Sequence, residues 1–260
     1  MAATALMSKH RSNEFTSALH HHIGAGMGMR AIARAAQWRP TKPEAPAPWE
    51  TPACPELERE AGHLAEADAK AVLGRYGVRA PRELRASNPD EARAAAAEID
   101  ATVVVKVDGP AHKEKYGGVI LGCTDPERAA AAAAQIGAPV LVCEEIRGGA
   151  EVLCGLVRDP LYGPIVVVGV GGSWAEAVGQ TARAALGPIS QADAERLVRA
   201  VEPLRHRLDD AEVTIVADTL VALGRVAHDF PRVSEIDVNP LVIRDGTGVA
   251  LDGLIVLSDD

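Results

Sequence analysis

Aromatic residues are scarce in this sequence: Phe, Tyr and Trp together make up 3% of its 260 residues. Hydrophobic residues still account for 47%, so we expect a sizeable core built mainly from Ala, Val, Leu and Ile. The length predicts one large domain or two modest ones. No hydrophobic run approaches the roughly 18 residues that a membrane-spanning helix needs, so we expect no membrane association.

Cysteine pairs and an excess of basic charge are also missing. The four cysteines, at positions 54, 123, 143 and 154, have no CxxC spacing, which indicates free thiols rather than a disulfide framework or a zinc site. A net charge of −9 argues against a nucleic-acid or anionic-membrane binder. The first residues contain no charged-then-apolar secretory signal, and we therefore predict a cytoplasmic protein.

Prolines mark the clearest boundary in the chain. Six of them lie between Pro40 and Pro55, a density that is typical of an extended linker. The residues before them show little periodicity, apart from a short amphipathic pattern over 29–38. We predict a flexible, disordered tail, a short helix and a Pro-rich linker over residues 1–55, followed by the globular part.

From Glu56 onward, hydrophobic periodicity predicts a succession of helices and strands. Helices are predicted over 64–76, from a cap at Ser87 or Asn88 to Ile99, and over 124–136, 190–201 and 211–228. Strands are predicted over 81–86, 102–107, 119–123, 140–145, 151–157, 164–169, 233–244 and 248–257. Because helices and β-hairpins are segregated in the second half, the pattern favours an α+β fold.

The stretch VVVKVDGPAHKEKYGG, residues 103–118, is suited to holding a polyphosphate. A strand of β-branched residues delivers Lys106, and a turn carrying His112 and Lys113 follows it. Gly117 and Gly118 would let backbone N–H groups come close to an anion. The alternative is a surface turn that happens to follow a lysine, since loops of this composition are common.

A second polar pattern lies near the end of the chain. Glu235, Asp237 and Asn239 alternate with apolar residues, which places them on one face of a strand. The next predicted strand carries Asp252, which can lie close to Asn239 across a hairpin. Such oxygen ligands suit Mg²⁺ shared with the phosphates of a nucleotide. The alternative is a solvated sheet face that carries polar residues.

Four ordered motifs resemble the ATP-grasp part of NDP-forming acyl-CoA synthetases and, more distantly, the β subunit of succinyl-CoA synthetase. They are KVDGPAHKEKYGGVILG (106–122), VCEEIRGGAEVLCGLVRDPLYGP (142–164), GVGGSWAE (169–176) and SEIDVNPLVI (234–243). The resemblance implies an ATP-grasp fold, in which two α+β lobes clamp ATP. On this basis we assign the first lobe to residues 56–145 and the second lobe, with the metal site, to residues 146–260.

The resemblance also implies which residues bind ATP. Lys106 holds the phosphates, and Gly117 and Gly118 belong to a mobile lid over them. Glu144, on the strand that joins the lobes, lies at the edge of the adenine. Glu151 matches an acid in the same cleft.

Further residues match positions around the reacting phosphate. Asn239 and Asp252 match the Mg²⁺ ligands of the family, and Asp237 matches an acid placed where a phosphohistidine arrives. His112 and Lys113 match a His-Lys pair beside the phosphates. Three roles stay open for His112, namely a cation that contacts phosphate, a transient phosphoryl acceptor or a turn residue. We favour a direct part in phosphoryl transfer.

The chain departs from the family pattern at two points. Ala185 stands where the family usually has an arginine. Arg183 lies two residues earlier, on the same face of a strand, and is the predicted substitute. Gly253 and Leu254 follow Asp252, where the family often has an alanine and a basic residue. Both departures indicate a weakened or specialised ATP site.

The resemblance predicts the ATP-binding subunit of an ADP-forming acid–CoA ligase, which uses ATP and Mg²⁺ for acid + CoA + ATP ⇌ acyl-CoA + ADP + phosphate. A histidine on a CoA-binding partner chain would carry the phosphoryl group between the sites, so a hetero-oligomer is expected. Two alternatives stay open. One is a non-catalytic nucleotide-binding or interaction module. The other is a stand-alone ligase that joins an acid to an amine.

Overall fold

Two antiparallel sheets form the frame of the protein in the residues that the structure describes. That structure, a computed structural model, describes residues 46–108, 118–137, 139–172 and 182–259. One sheet has seven strands and the other has four. Every pairing between the strands of these residues is antiparallel, which confirms the predicted α+β class.

Eleven strands and six α-helices make up the described part of the chain. The helices are α1 (Glu66–Arg75), α2 (Pro89–Ile99), α3 (Pro126–Ile136), α4 (Gln191–Arg199), α5 (Glu202–Arg205) and α6 (Asp210–Asp229). The strands are β1 (Gly62–His63), β2 (Glu83–Ala86), β3 (Val103–Val107), β4 (Val119–Cys123), β5 (Val140–Glu144), β6 (Ala150–Asp159), β7 (Gly163–Val170), β8 (Arg183–Leu186), β9 (Val233–Arg244), β10 (Thr247–Ala250) and β11 (Leu254–Leu257). None of these helices is long and apolar enough to cross a bilayer.

The four-stranded sheet, in the order β2-β5-β3-β4, is covered on one face by α2 and α3. Both helices begin at a polar cap followed by proline: the Asn88 and Asp125 side chains accept from backbone N–H groups in the first turn, which stabilises helix starts. Their buried faces are almost entirely alanine, packed on valines of the sheet. Small side chains on both sides let a core without aromatic residues close tightly.

The seven-stranded sheet has the order β1-β11-β9-β6-β7-β8, with β10 paired to β9. Its helix-covered face packs on α6, which begins with a capping box between Asp209 and Glu212. Along β9, Ile236 and Val238 enter this core. Strand alternation therefore puts Asp237 on the opposite face, as the sequence predicts.

The second strand predicted in the last hairpin, over 248–257, is broken in the structure. Residues 251–253 separate β10 from β11. The Leu251 N–H donates to the Pro240 carbonyl at 3.0 Å, and the Asp252 side chain accepts from the Gly253 N–H at 2.9 Å. This interruption positions Asp252 in a short loop beside β9. It depends on contacts with distant residues, which periodicity does not report.

The packed part of the chain begins earlier than Glu56, because residues before it already contact the globular body. Trp49 donates its indole N–H to Asp229 at 2.8 Å, and its ring lies edge-on to His228 with 5.2 Å between centroids. Cys54 is buried in the core of the seven-stranded sheet. Residues 46–55 thus belong to the globular body, and residues 1–45 lie outside the described residues.

We expect Trp49→Ala to lower the free energy of unfolding by about 1–3 kcal/mol, since it removes a part-buried ring and a hydrogen bond. Urea denaturation followed by circular dichroism measures the change. Leu161→Ala is the control, because Leu161 is 79% exposed and its loss should cost less than about 0.5 kcal/mol. Equal effects of the two substitutions would contradict the docking of this segment.

Candidate functional site

Lys106 lies where the two sheets meet. On β3, Val103 and Val105 enter the core under α2 and α3, so strand alternation directs Lys106 to the other face. Its Nζ atom donates to the Leu251 carbonyl at 2.8 Å and forms an ion pair with Glu66 of α1. Leu251 directly precedes Asp252, so the predicted phosphate lysine lies beside the loop that carries a predicted metal ligand.

Glu66 belongs to a buried group of alternating charges. Its Oε1 atom lies 2.6 Å from Lys70 Nζ, and Lys70 also pairs with Glu83 on β2. Burial lowers the pKa of Lys70, but the two carboxylates outweigh this effect, so the pKa lies above its usual range. Burial also raises the pKa of the neighbouring Cys143 thiol to about 12, which excludes a reactive thiolate at neutral pH.

Asn239 is held by a glycine at the end of β7. The Gly172 N–H donates to the Asn239 Oδ1 atom at 3.0 Å. Gly172 has a φ of +63°, and a Cβ atom there would lie 1.5 Å from Glu151 Oε2. Glycine suits this position, because the left-handed backbone conformation disfavours a side chain and a Cβ atom would displace the Glu151 carboxylate. The structure thus brings Asn239, Gly172 and Glu151 together.

Asp237, on β9, and Asp252, in the loop between β10 and β11, approach the same region. Asp237 pairs with Leu254 on β11 and with Gly155 on β6, so no side chain crowds it from β6. Burial raises the pKa of Asp237 to about 6, and the negative charges of Asp252 and Glu235 add to the effect. Such a carboxyl can hold a proton close to neutral pH.

The donor set fits a magnesium ion that shares its coordination shell with phosphates. Mg²⁺ typically takes only one or two protein ligands and completes its shell with water and substrate phosphates. Asn239 and Asp252 offer one amide oxygen and one carboxylate. Within the described ranges no group of three or more His, Cys, Asp or Glu side chains could hold a metal by itself.

Two predicted ATP-binding residues are not brought together with Lys106. Glu144 pairs with Val103 across the sheet and therefore shares the helix-covered face; it accepts a hydrogen bond from Arg82 at 2.9 Å. Arg183 pairs with Val168, a core residue, and donates to the neighbouring Ala182 carbonyl. The pairing register of the strands decides which sheet face Glu144 and Arg183 occupy, and the sequence pattern alone does not reveal that register.

A cleft with a volume of about 690 Å³ contains Glu144. It lies between the chain that follows α1 and the link from β5 to β6. Lys106, Asn239 and Asp252 are not part of its lining, so the cleft by itself does not unite the predicted site. Its lining residues are Gly74, Gly77, Val78, Arg79, Ala80, Pro81, Arg82, Glu144, Ile146 and Val249.

The glycine-containing loop after β3 is described only at its end. The Gly118 carbonyl accepts from the Val107 N–H at 2.8 Å, which keeps the end of this loop against β3. His112, Lys113 and Gly117 lie outside the described residues, and their roles stay predictions.

Sequence reasoning missed Glu66 and Lys70. Both lie on the buried face of α1 together with Ala69, Val72 and Leu73. The sequence does contain a sign of this buried pair: two opposite charges four residues apart interrupt the apolar stripe of a helix. Buried charges are normally paired. This pair was overlooked because charged residues on a helix are usually assumed to face water.

The profile of the ATP-grasp domain family matches residues 56–257. The chain belongs to the ATP-grasp family. It is 30% identical over 213 residues to the β subunit of an ADP-forming acetate–CoA ligase from Pyrococcus furiosus, covering 75% of this chain and 91% of that subunit. It is also 31% identical over 222 residues to a longer ADP-forming acetate–CoA ligase from Archaeoglobus fulgidus, covering 78% of this chain and 32% of that protein.

A solved structure shares the fold of this ATP-grasp chain. It is the dinucleotide-forming acetyl-coenzyme A synthetase 1 of Ca. Korarchaeum cryptofilum in complex with coenzyme A and Mg-AMPPCP, with its phosphohistidine segment pointing towards the nucleotide-binding site. The TM-score is 0.67 at 27% identity, over 79% of this chain and 96% of that chain. The predicted ATP-grasp fold is therefore confirmed. The present chain spans about a third of the longer ligase and nine-tenths of the separate β subunit.

We expect Asp237→Asn to stabilise the ligand-free protein at pH 7.5 but not at pH 4. Because the pKa of Asp237 in the folded state, about 6, exceeds its unfolded value, ionisation destabilises the fold as pH rises from about 4 to 6. The variant lacks this cost and should gain up to about 3 kcal/mol at pH 7.5. Urea denaturation at both pH values measures the difference.

The control for this experiment is Asp245→Asn, because the Asp245 side chain is 80% exposed. Its effect should stay within about 0.5 kcal/mol at both pH values. A gain for Asp237→Asn that is equal at pH 4 and pH 7.5 would show that burial does not shift this carboxyl.

Proposed function

We propose that this chain is the ATP-binding subunit of an ADP-forming acid–CoA ligase, catalysing acid + CoA + ATP ⇌ acyl-CoA + ADP + phosphate with a partner chain. The observation that carries the proposal is the hydrogen bond from Lys106 to the Leu251 carbonyl. It joins the phosphate lysine of one sheet to the Asp252 loop of the other. The similarity to separate β subunits of such ligases supports the same function.

The residues between the sheets would bind a magnesium nucleotide. Lys106 supplies a positive charge for phosphate oxygens, and Asn239 and Asp252 supply the protein ligands of the metal. Bound Mg²⁺ would neutralise phosphate charge and orient the phosphates for transfer. Catalysis by this chain then consists of positioning and charge compensation. The Gly172 N–H keeps the Asn239 oxygen oriented, which lowers the entropy lost on binding.

Other residues receive roles within the same proposal. Asp237 would face the arriving phosphohistidine of the partner, where its raised pKa suits the exchange of a proton with an imidazole. Glu151 would border the phosphate cleft and Gly118 the lid. His112 is proposed to take a direct part in phosphoryl transfer, with Lys113 beside it.

Glu144 and Arg183 are proposed to lie at the edge of the nucleotide site. Glu144 lines the 690 Å³ cleft and would approach the adenine from there. Arg183 lies on the same face of β8 as Ala185 and would compensate for it by turning from the Ala182 carbonyl towards that position.

A partner chain is part of the proposal, because the ligase needs a CoA-binding unit and a phosphohistidine. The long relative from Archaeoglobus fulgidus extends well beyond the part that this chain covers. We therefore propose that turnover requires a CoA-binding ligase subunit in a hetero-oligomer. Acyl-CoA formation that needs both chains tests this point, and turnover by this chain alone would contradict it.

A non-catalytic nucleotide-binding module is the second candidate. Ala185 pairs with Val166 in the core, so no cation occupies the position of the family's usual arginine. ATP binding without turnover in the presence of the partner would favour this candidate over the ligase.

Lys106→Met should weaken binding of Mg-ATP about 10- to 100-fold, because a charge-assisted phosphate contact contributes about 1.5–3 kcal/mol. Isothermal titration calorimetry measures the affinity, and turnover with the partner should fall in parallel. Arg93→Met is the control, since Arg93 pairs with Glu127 on the outer surface of α2 and α3. Unchanged ATP affinity in Lys106→Met would remove this lysine from the site.

Asp252→Asn should weaken the binding of Mg-ATP much more than that of metal-free ATP, because an amide is a poorer ligand than a carboxylate for a hard cation. Titrations with and without Mg²⁺ separate the two effects. Glu235→Gln is the matched control, as it removes a carboxylate from the same sheet region without touching a proposed ligand. Equal weakening of both nucleotide forms would assign Asp252 a structural role only.

A further inference from the structure

Glu66 is the acid that Lys106 and Lys70 share. Its Oε1 atom pairs with the ammonium groups of both residues, and its side chain is 1% exposed. Lys70 is equally enclosed, and Lys106 is 10% exposed. Neither the sequence motifs nor the proposed function assigns a role to Glu66.

The two lysines contact the residues on either side of Asp252. Lys106 donates to the Leu251 carbonyl, on the N-terminal side. On the C-terminal side, a Cβ atom at Gly253 would lie 3.1 Å from Lys70 Cγ, so the stem of Lys70 packs against the Gly253 backbone. One carboxylate on α1 therefore holds both side chains that flank the metal loop.

This contact also explains one departure from the family pattern. Alanine often stands after the metal-binding aspartate, but a methyl group at Gly253 would press on the Lys70 stem, which is fixed at its end by Glu66 and Glu83. Glycine lets the lysine pass close to the loop.

Stability alone is a weak reason for such a buried group of charges. Apolar residues of similar size would often stabilise a core as well or better. A buried charge network instead holds its members in one arrangement, since each alternative leaves an ion without a partner. That property is useful where a phosphate contact and a metal ligand must keep a set distance.

We propose that Glu66 is a positioning residue, which fixes the Lys106 ammonium relative to the Asp252 loop so that one Mg-nucleotide can engage both. The proposal rests on the proposed function and deepens it. A lysine ammonium has a further N–H donor beyond its contacts with Glu66 and Leu251, and this donor serves the phosphate. Glu66 itself does not touch the nucleotide and acts through the two lysines.

The test is a double-mutant cycle on Mg-ATP affinity with Glu66→Gln, Lys106→Met and the combined variant. Glu66→Gln should weaken binding about tenfold, and in the Lys106→Met background it should weaken binding less than about threefold, because residues that act as one unit are not additive. Glu66→Gln should also raise the Mg²⁺ concentration needed for half-maximal ATP binding, since the Asp252 loop loses its support. An affinity within about twofold of wild type, or additive losses in the cycle, would overturn the proposal.

Asp68→Asn is the matched control. Asp68 lies on the same helix and also reaches the four-stranded sheet, through Arg85. Among the described residues it forms ion pairs with Arg59 and Arg85, not with Lys70 or Lys106. Its substitution should leave Mg-ATP affinity within about twofold. A loss as large as that of Glu66→Gln would mean that any weakening of α1 lowers affinity, which overturns a specific role for Glu66.

A second variant guards against failure to fold. Glu66→Gln leaves an excess buried positive charge, whereas Glu66→Gln with Lys70→Met removes one charge of each sign. This charge-balanced variant should fold and still bind Mg-ATP about tenfold more weakly than wild type, because Lys106 has lost its ion-pair partner Glu66. Recovery of wild-type affinity would show that Glu66 only neutralises buried positive charge, and it would overturn the proposal.

The ligand-free protein separates this proposal from the proposed function. The same cycle on urea midpoints should also be non-additive, because Glu66 and Lys106 are in contact without nucleotide. Additive shifts of the urea midpoint would show that Glu66 and Lys106 do not interact in the ligand-free protein, which overturns the proposal. Failure of the wild-type chain to bind Mg-ATP would overturn the proposed function, and the midpoint cycle would still decide whether Glu66 holds Lys106.

Discussion

The contact of Lys106 with Glu66 and the Leu251 carbonyl is the interaction on which the candidate site depends. It joins three parts of the chain that are far apart in sequence: β3, the start of α1 and the loop between β10 and β11. A buried ammonium must be paired, since an isolated charge in the interior is very unfavourable. The pairing therefore also determines where the two sheets meet.

The other candidate site residues lie on the seven-stranded sheet, next to this contact. The interruption of the last hairpin directs Asp252 to the open face of the seven-stranded sheet, where Asp237 and Asn239 already lie through strand alternation. Gly172 fixes the Asn239 oxygen and makes room for Glu151. Acidic and amide side chains thus lie on the sheet whose Asp252 loop contacts Lys106, and these residue types suit a phosphorylated ligand carrying a divalent cation. Membership of the ATP-grasp family agrees with this chemistry.

Local signals were sufficient for much of the fold. The caps at Asn88 and Ser190 begin their helices in the structure, Gly137 ends α3, and β9 has its predicted bounds. Periodicity did not predict strand β8, although the comparison of Arg183 with Ala185 assumed a strand there, because Arg183–Leu186 has no alternating pattern and forms a strand by pairing with β7. The broken hairpin and the role of Glu66 were missed for the same reason: both depend on partners distant in the chain.

The ion pairs that connect α1 with the four-stranded sheet differ strongly in their access to water. On the buried side of α1, Glu66 and Lys70 are 1% exposed; on its exposed side, Arg85 is 48% exposed where it pairs with Asp68. Dissolved ions screen exposed charges over about 8 Å at physiological ionic strength and affect enclosed ones far less. Salt concentration thus acts unevenly around this helix: it weakens the exposed pair and leaves the buried pairs nearly unchanged.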